Sequence, residues 1–190
     1  ANMPAWGAVD NKLGNNPLVM AIPGDPPVVI DMAMSQFSYG KMEDLSMKNE
    51  KLPMAGGYDS EGQLSDDPDD ILEAGRPLPA GYWKGAGLSL VLDILAAILS
   101  DGLSTHEISQ LSNETSVSQV FICIHTDNLK NKSNIGQQIK LVLEDYKQSI
   151  PSDEASKVIY PGERSSKIAT ENSKLGIPVD EEVWEEILNL

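Results

Sequence analysis

The chain has 190 residues, and its 29 acidic against 14 basic side chains give a formal net charge of −15 at pH 7. This balance argues against a nucleic-acid partner or an anionic membrane surface, because both are bound through basic side chains. Hydrophobic residues make up 41% of the chain, so it can bury the core of one large domain or of two small ones.

Two short apolar runs, residues 18–22 and 28–30, flank a turn rich in proline and predict two buried strands. The second run ends at Asp31. Apolar side chains then recur at loose helical spacing, which predicts that the strand passes directly into a helix; they are Ala33, Met34, Phe37 and Met42. Residues 49–82 carry many glycines and prolines, and they predict a long loop that serves or covers a site.

Residues 85–99 are apolar on nearly all sides, which predicts a buried core helix that ends at residues 100–102 with Gly102 as the C-cap. Residues 120–126 predict a strand, with the single Cys123 as a small core residue. A lone cysteine excludes an intrachain disulfide framework and favours a reducing compartment. With no signal-peptide pattern, and with the apolar stretch 88–99 too short for a membrane span, we expect a soluble, cytoplasmic protein.

Three more helices are predicted in the last third of the chain. Residues 135–150 have one apolar side, formed by Ile135, Ile139, Val142, Leu143 and Tyr146. A glycine turn at residues 161–163 leads into a helix that ends near Gly176, and Asp180 can cap a last helix. The predicted buried stripe of that helix is Val183, Trp184, Ile187 and Leu188. The mixture of elements predicts an α/β class, with a mixed sheet covered by helices.

The sequence gives little support for a metal site or for a catalytic histidine. Residues 59–73 hold seven carboxylates, but Leu64 stands where a calcium loop needs glycine, so we predict a solvated surface segment and no metal. The two histidines, His106 and His125, have no nucleophile or ligand partner at a useful spacing. We therefore expect structural or solvent-exposed roles for both, and we assign no catalytic residue.

Residues 81–89 place a lysine, an indole and two glycines at the start of the apolar helix. Free backbone N–H groups at a helix N-terminus attract anions, and Lys84 adds a full positive charge there. Trp83 offers a flat face to a ring. The pattern favours a phosphate or dinucleotide cradle; the alternative is that the glycines serve helix packing and that Trp83 is a core residue.

Several motifs in this order carry a family resemblance. They are Gly14-Asn15-Asn16-Pro17-Leu18, Pro27-Val28-Val29-Ile30-Asp31-Met32-Ala33-Met34-Ser35, Phe37-Ser38-Tyr39-Gly40, Gly81-Tyr82-Trp83-Lys84-Gly85-Ala86-Gly87-Leu88-Ser89 and Pro161-Gly162-Glu163. Together they resemble the malate/L-lactate dehydrogenase family of NAD(P)-dependent oxidoreductases, which is unrelated to the classical Rossmann lactate dehydrogenases. The resemblance runs from Trp6 to Leu190 and is strongest to the 2,3-diketo-L-gulonate reductase branch.

The resemblance implies a non-classical NAD-binding fold and a cofactor site built from three stretches. These are Pro27, Val28, Val29, Ile30, Asp31, Met32 and Ala33; then Trp83 and Lys84; then Gly162, Glu163 and Arg164. Asp31 could accept a ribose hydroxyl, and N-capping the next helix is its competing role. Carboxylates at Asp31 or Glu163 favour NAD, whereas Arg164 is a candidate for the 2′-phosphate of NADP.

The chain departs from the family pattern in ways that bear on activity. Many members have Gly-Thr-Asn-Pro and Asp-Met-Ala-Thr-Ser where this chain has Asn15 and Met34, which argues against simple malate or lactate as substrate. The family's proton donor is a histidine in a Ser-His-Gly motif, and this sequence has no such motif. We therefore expect a fragment of a longer chain, inactive alone, with residues 1–160 as an incomplete cofactor-binding domain and 161–190 as a C-terminal helical segment.

The resulting functional prediction is an NAD(P)H-dependent reductase of a 2-oxo acid that works as a homodimer on a small-molecule substrate. An alternative from another class is a non-catalytic binding or interaction module that keeps the fold. A third reading is a family member that acts on malate, lactate, ureidoglycolate or a cyclic imino acid.

Overall fold

The computed structural model describes residues 1–152 and 157–190, and these form two compact units. The first unit consists of Ala1–Leu18 and Asp31–Ile124, and the second of Val19–Ile30 and His125–Leu190. The chain therefore crosses from one unit to the other three times. The predicted division at residue 160 into a cofactor-binding domain and a C-terminal segment stays a prediction, and its first part includes residues 153–156, outside the described ranges.

Six short strands in the described residues pair into three two-stranded sheets. Strands β1 (Met3–Pro4) and β2 (Asn11–Leu13) pair antiparallel, as do β5 (Gly57–Tyr58) and β6 (Leu64–Ser65). Strand β3 (Leu18–Ile22) pairs with β4 (Val28–Met32) across the proline-rich turn. The two strands predicted at residues 18–22 and 28–30 are confirmed, as is the mixed α/β class.

Seven α-helices accompany these strands in the part of the chain that the structure describes. They are α1 (Tyr39–Met47), α2 (Pro68–Ala74), α3 (Trp83–Ser100), α4 (Thr105–Ile108), α5 (Ile135–Lys147), α6 (Glu163–Leu175) and α7 (Glu181–Leu188). The helices predicted near residues 85–99, 135–150, 163–176 and 181–188 are all present. Gly176 follows α6 with a left-handed φ of 95°, as expected for a C-terminal glycine.

The prediction that β4 passes directly into a helix is wrong. Helix α1 begins at Tyr39, and Ser38 is its N-cap, with Oγ accepting a hydrogen bond from the Lys41 N–H at 3.2 Å. Residues 33–38 are irregular because they pair with other segments, and Met34 is fully buried among them. The apolar side chains that recur in this segment are there because an irregular segment packs into the core, and they do not mark a helix.

The predicted long loop at residues 49–82 is also wrong, since it contains β5, β6 and α2. Asp67 caps α2 by accepting from the Asp69 N–H at 3.0 Å, Pro68 occupies the first turn, and Gly75 ends the helix with a left-handed φ of 62°. Buried residues of α1, α2 and their connection form one core cluster; its fully buried members are Met42 and Ile71. Residues 49–82 therefore belong to the folded core of the first unit.

Helix α3 is not the buried core helix that the apolar pattern predicted. Only Gly85, Ala86 and Ser89 are buried, and Ile98 is 69% exposed. Its left-handed C-cap is Asp101 with φ 53°, where Gly102 was expected. The helix has 18 residues and a mean hydropathy of 1.5, so within the described residues it alone reaches the length and composition of a membrane span, a test that core helices of soluble proteins also pass.

The strand predicted at residues 120–126 is absent, and Cys123 is exposed, not buried. Phe121 is 85% exposed, and no strand of the described chain pairs with this segment. An apolar, β-branched run becomes a strand only where a partner strand accepts its hydrogen bonds, which explains the difference.

In the second unit, much of the apolar surface of α5 and α7 that the sequence predicted to be buried is exposed. On α5, Ile135, Ile139 and Leu143 are half-buried, whereas Val142 and Tyr146 are exposed. The predicted buried stripe of α7 is exposed as well. The predicted amphipathic faces exist, but within the described chain they are not covered.

Candidate cofactor site

The first turn of α3 presents Lys84 and Trp83 to solvent. Trp83 is 66% exposed, which overturns its alternative role as a core residue, and Lys84 is exposed beside it. The residue before the helix, Tyr82, has a left-handed φ of 61°, and no side chain caps the helix N-terminus. An uncapped N-terminus carries the positive end of the helix dipole, so this turn is suited to an anion.

The two glycines of this turn have different surroundings. A Cβ on Gly85 would lie 2.2 Å from the Ala80 carbonyl oxygen, so this glycine lets the helix pack against the backbone that precedes it. A Cβ on Gly87 would meet nothing within 4 Å. The packing alternative therefore holds for Gly85 and not for Gly87.

The stretch Asp31–Ala33 ends β4 and opens the irregular segment before α1. Asp31 is exposed, and since Ser38 caps α1, the competing role of Asp31 as an N-cap is removed. Met32 packs against the core cluster of the first unit, formed by Met3, Leu13, Met34 and Ala86. Ala86 belongs to the first turns of α3, so this cluster joins the end of β4 to the start of α3.

Backbone hydrogen bonds tie these two stretches together. The Ala80 N–H donates to the Met34 carbonyl at 2.8 Å, and the Gln36 N–H donates to the Leu78 carbonyl at 2.7 Å. The Gln36 side chain accepts from the Gly81 N–H at 3.2 Å. The segment after Ala33 therefore lies alongside the segment that leads into Trp83 and Lys84, within the first unit.

The turn at residues 14–17, between β2 and β3, is hydrogen-bonded to both stretches. The Asn15 side chain accepts from the Ser35 N–H and hydroxyl, and the Asn16 amide donates to the Ser89 carbonyl at 3.0 Å. Ser89 donates in turn to the Gly14 carbonyl at 2.8 Å. The sequence motif was visible, but nothing local in it indicated that it would bond to α3.

In the second unit, the start of β4 packs against the glycine turn that precedes α6. The Val29 N–H donates to the Pro161 carbonyl at 3.0 Å. A Cβ on Gly162 would lie 2.8 Å from the Val29 nitrogen and 3.2 Å from the Pro27 carbonyl oxygen, and Gly162 has a left-handed φ of 92°. The structure thus brings Pro27, Val29 and Gly162 together, with Val28 and Ile30 half-buried in the same strand.

Lys147 of α5 orients Glu163 at the first residue of α6. Its ammonium lies 2.6 Å from Glu163 Oε1, and the Tyr160 N–H donates to Glu163 Oε2 at 3.4 Å. The hydrogen bond from Lys147 lowers the pKa of Glu163, and the same bond raises the pKa of Lys147. Lys147 also lies 5.6 Å from the centroid of the Tyr160 ring, a cation–π distance.

A cavity of about 340 Å³ adjoins this pair within the second unit. Its lining includes Pro26 from the turn before β4, Lys147 from α5 and the buried Tyr160. Arg164, the last predicted cofactor residue, is exposed on the first turn of α6.

The predicted residues fall into two groups, one in each unit. Asp31, Met32, Ala33, Trp83 and Lys84 lie in the first unit, and Pro27, Val28, Val29, Ile30, Gly162, Glu163 and Arg164 lie in the second. The first group contains a cation at a helix N-terminus that no side chain caps, and the second contains a carboxylate beside a glycine turn. A cation at a helix N-terminus suits a phosphate, and a carboxylate suits a ribose hydroxyl. Sequence reasoning missed the supporting residues Asn15, Asn16, Ser89 and Lys147, which act across the fold.

The remaining candidate groups, the two histidines and the acidic segment, are bonded to neighbours in their own segments. His106 is exposed beside Gln110, and His125 is exposed beside Asp127. Asp59 in the acidic segment accepts from the Glu61 and Gln63 N–H groups and so shapes a turn. Among the described residues, no group of three or more metal-ligating side chains comes together.

Comparison with known proteins agrees with the sequence motifs. A family profile described as malate/L-lactate dehydrogenase matches residues 1–188. The 2,3-diketo-L-gulonate reductase of Citrobacter koseri is 42% identical over 188 residues, which are 98% of this chain and 57% of the relative. An Escherichia coli protein of the same name is 41% identical over the same share of each chain. The chain therefore spans less than two thirds of the length of the curated relatives it matches.

Solved structures give the same fold. Malate dehydrogenase from Entamoeba histolytica superposes with a TM-score of 0.88 at 20% identity, over 99% of this chain and 57% of that one. Sulfolactate dehydrogenase from Methanocaldococcus jannaschii superposes with a TM-score of 0.77 at 26% identity, over 96% of this chain and 53% of that one. On the match of residues 1–188, this chain belongs to the malate/L-lactate dehydrogenase family.

Proposed function

We propose that the natural full-length protein containing this chain is an NAD(P)H-dependent reductase of a 2-oxo acid, and that this chain supplies its cofactor-binding residues. The observation that carries the proposal is the family match over residues 1–188, together with 42% identity to a 2,3-diketo-L-gulonate reductase. The substrate that fits this relationship best is 2,3-diketo-L-gulonate or another 2-oxo acid of similar size and polarity.

The described residues fit such a cofactor. Lys84 and the start of α3, which no side chain caps, would hold the pyrophosphate, because a cation and the positive end of a helix dipole stabilise phosphate charge. Asp31, exposed at the end of β4, would accept a ribose hydroxyl. The glycine turn at Gly162 allows backbone to approach backbone closely, which leaves Glu163 and Arg164 at a helix start. When bound, the cofactor supplies the hydride for the keto carbon.

Reduction of a keto group also needs a proton for the developing alkoxide. His106 and His125 are both exposed, and each is bonded to a side chain one helical turn or less away along its own segment. We therefore place the proton donor in the part of the relatives' length that this chain does not span. The residues of this chain bind and orient the cofactor.

We propose NADH as the preferred cofactor. The 2′-phosphate of NADPH would lie near the carboxylate that accepts the ribose hydroxyls, and like charges at that distance repel. The exposed carboxylate of Asp31 supports this preference in the first unit. In the second unit, Arg164 is the candidate cation for a 2′-phosphate. An Arg164→Ala variant should therefore bind NADH almost as well as the unmodified protein and should lose any residual affinity for NADPH.

Turnover tests the proposal directly. NADH oxidation by the full-length protein is followed at 340 nm with 2,3-diketo-L-gulonate, pyruvate, oxaloacetate and cyclic imino acids, and NAD reduction is followed with malate, lactate and ureidoglycolate. We expect the highest kcat/KM with 2,3-diketo-L-gulonate and NADH. Turnover of malate or lactate alone would redirect the substrate assignment, and no turnover with any substrate, together with no NADH binding, would support a non-catalytic module.

We also propose that the full-length protein is a cytoplasmic homodimer. The support is the exposed apolar surface of α3, which a soluble protein covers by association or by further chain. The free, exposed thiol of Cys123 is stable in a reducing compartment. Light scattering on a sizing column should give twice the mass of one chain, and a monomer at micromolar concentration would contradict the dimer.

A further inference from the structure

The turn at residues 14–17 holds α3 through three hydrogen bonds, of which one is buried and two are partly buried. Asn16 Nδ2 lies 3.0 Å from the Ser89 carbonyl oxygen and 3.2 Å from Ser89 Oγ, and Ser89 Oγ donates to the Gly14 carbonyl at 2.8 Å. The Ser89 side chain is fully buried. Bonds shielded from water have few competitors, so they restrain the helix more than exposed bonds would.

The same turn also holds the segment that follows Ala33. Asn15 Oδ1 accepts from the Ser35 N–H at 3.2 Å and from the Ser35 hydroxyl at 3.1 Å. The Asn15 carbonyl accepts from the Met34 N–H at 2.9 Å. Two consecutive residues therefore bond to two stretches that are far apart in sequence, and the distance between those stretches depends on the turn.

The backbone at this turn is specialised. Asn16 has a left-handed φ of 29°, a conformation that asparagine and glycine tolerate better than other residues. A Cβ on Gly14 would lie 2.5 Å from Asn16 Oδ1, so the Asn16 side chain folds back over Gly14 and a larger residue there would displace it. The small size of Gly14 thus allows the Asn16 side chain to take the position from which it bonds to Ser89.

We propose that Asn16 is a positioning residue of the cofactor site, which acts through Ser89 to hold the start of α3, and with it Lys84, at a fixed place relative to Asp31. The inference rests on the proposed function, because it needs Lys84 and Asp31 to contact one bound dinucleotide. A dinucleotide that bridges both residues loses affinity when either shifts, even though Asn16 itself touches no ligand.

Asn16→Gly in the full-length protein tests this role. Glycine keeps the left-handed backbone and removes only the side-chain amide. The matched control is Asn49→Gly, because Asn49 lies in the same unit, also has a left-handed φ, 53°, and is exposed. NADH affinity is measured by fluorescence titration at a temperature where circular dichroism shows each variant fully folded.

We expect the NADH Kd to rise about three- to tenfold in Asn16→Gly and to stay unchanged in Asn49→Gly. The KM for NADH should rise by a similar factor, with kcat at saturating NADH close to that of the unmodified protein, because the chemical groups are intact. Ser89→Ala should raise the Kd in the same direction. The two changes combined should raise the Kd less than the product of their separate factors, because both remove the contact between Asn16 Nδ2 and Ser89 Oγ.

A second control separates positioning from general stability. Leu52→Ala removes a buried side chain from the other core cluster of the first unit, so it lowers the melting temperature without touching the turn. If Leu52→Ala raises the NADH Kd as much as Asn16→Gly does, the effect is one of stability and the inference is wrong. If Asn16→Gly does not fold, Ser89→Ala decides, since it leaves the backbone of the turn unchanged.

The outcomes also distinguish this inference from the proposed function. Unmodified protein that fails to bind NADH contradicts the proposed function itself. Unmodified protein that binds NADH, with Asn16→Gly and Ser89→Ala both binding equally well, leaves the function standing and overturns the positioning role of Asn16.

Discussion

Replacing Lys84 by alanine removes the one full charge that we assign to the cofactor phosphates. The side chain is exposed on the first turn of α3, so the rest of the fold should be unaffected. Two unit charges about 4 Å apart interact by about 1 kcal/mol in bulk water and by about 4 kcal/mol near a protein surface. Because Lys84 is open to solvent, we take the lower part of this range, about 1 to 2 kcal/mol, which corresponds to roughly 5- to 30-fold weaker binding.

The assay is an equilibrium titration with NADH at two salt concentrations, by fluorescence or calorimetry. The difference between Lys84→Ala and the unmodified protein should shrink from about 0.05 M to about 1 M salt, because the screening length falls to about 3 Å. Lys12→Ala is the matched control, since Lys12 is an exposed lysine of the same unit that pairs with Asp10. Equal affinity in Lys84→Ala and Lys12→Ala would refute the assignment of Lys84.

Three further changes test the framework. Ile71→Ala should cost about 2 to 5 kcal/mol in chemical denaturation, because Ile71 is fully buried, with no change in the NADH Kd. Gly162→Ala should cost about 1 to 2 kcal/mol, because φ is 92° and a Cβ would lie 2.8 Å from the Val29 nitrogen. Lys147→Met should raise the pKa of Glu163 in an NMR titration, because it removes the bond that lowers it. The pair should stabilise the fold above the unfolded carboxyl pKa of about 4.3 and lose that effect as the pH falls through the lower folded value. On the alkaline side, the raised pKa of Lys147 sets the limit: its contribution is present below about 10.4 and is lost as the pH rises through the folded value. If the stability of Lys147→Met differs from that of the unmodified protein by the same amount from pH 3 to pH 8, the pair of Lys147 and Glu163 does not stabilise the fold in this way.

Local signals predicted the elements that have clear ends. The helices α5, α6 and α7 follow from apolar spacing and from turns such as the one at Gly162. Helix α2 was missed because the glycines and prolines around it dominated the reading of residues 49–82. Its own signals were nevertheless present, with Asp67 as a cap, Pro68 in the first turn and Gly75 at the end.

Burial was predicted less well than secondary structure, because it depends on what covers each face. The run around Phe121 and Cys123 has the composition of a core strand, yet it has no partner strand in the described chain. Helix α3 shows the same difference, since its apolar sides are exposed along most of its length. Asp93, the one acidic residue of α3, accepts from the Thr105 N–H and hydroxyl and so connects α3 to α4.

The candidate site could be predicted where the chemistry is local. The physics of helix termini favoured Lys84 and the start of α3 as an anion site, and the structure leaves them exposed, although their role in binding stays a prediction. The residues that position the site could not be identified in this way. Asn16 and Ser89 are 73 residues apart, and Lys147 and Glu163 are 16 apart, so only the fold brings each pair into contact.

The central claim is that this chain forms the cofactor-binding part of its protein, and an equilibrium titration of the full-length protein with NADH tests it most directly. The exposed Trp83, next to Lys84, should make binding visible as quenched tryptophan fluorescence. We predict saturable binding at one site per chain, competition by NAD, and clearly weaker binding of NADPH. The absence of saturable NADH binding in protein that is folded by circular dichroism would contradict the account.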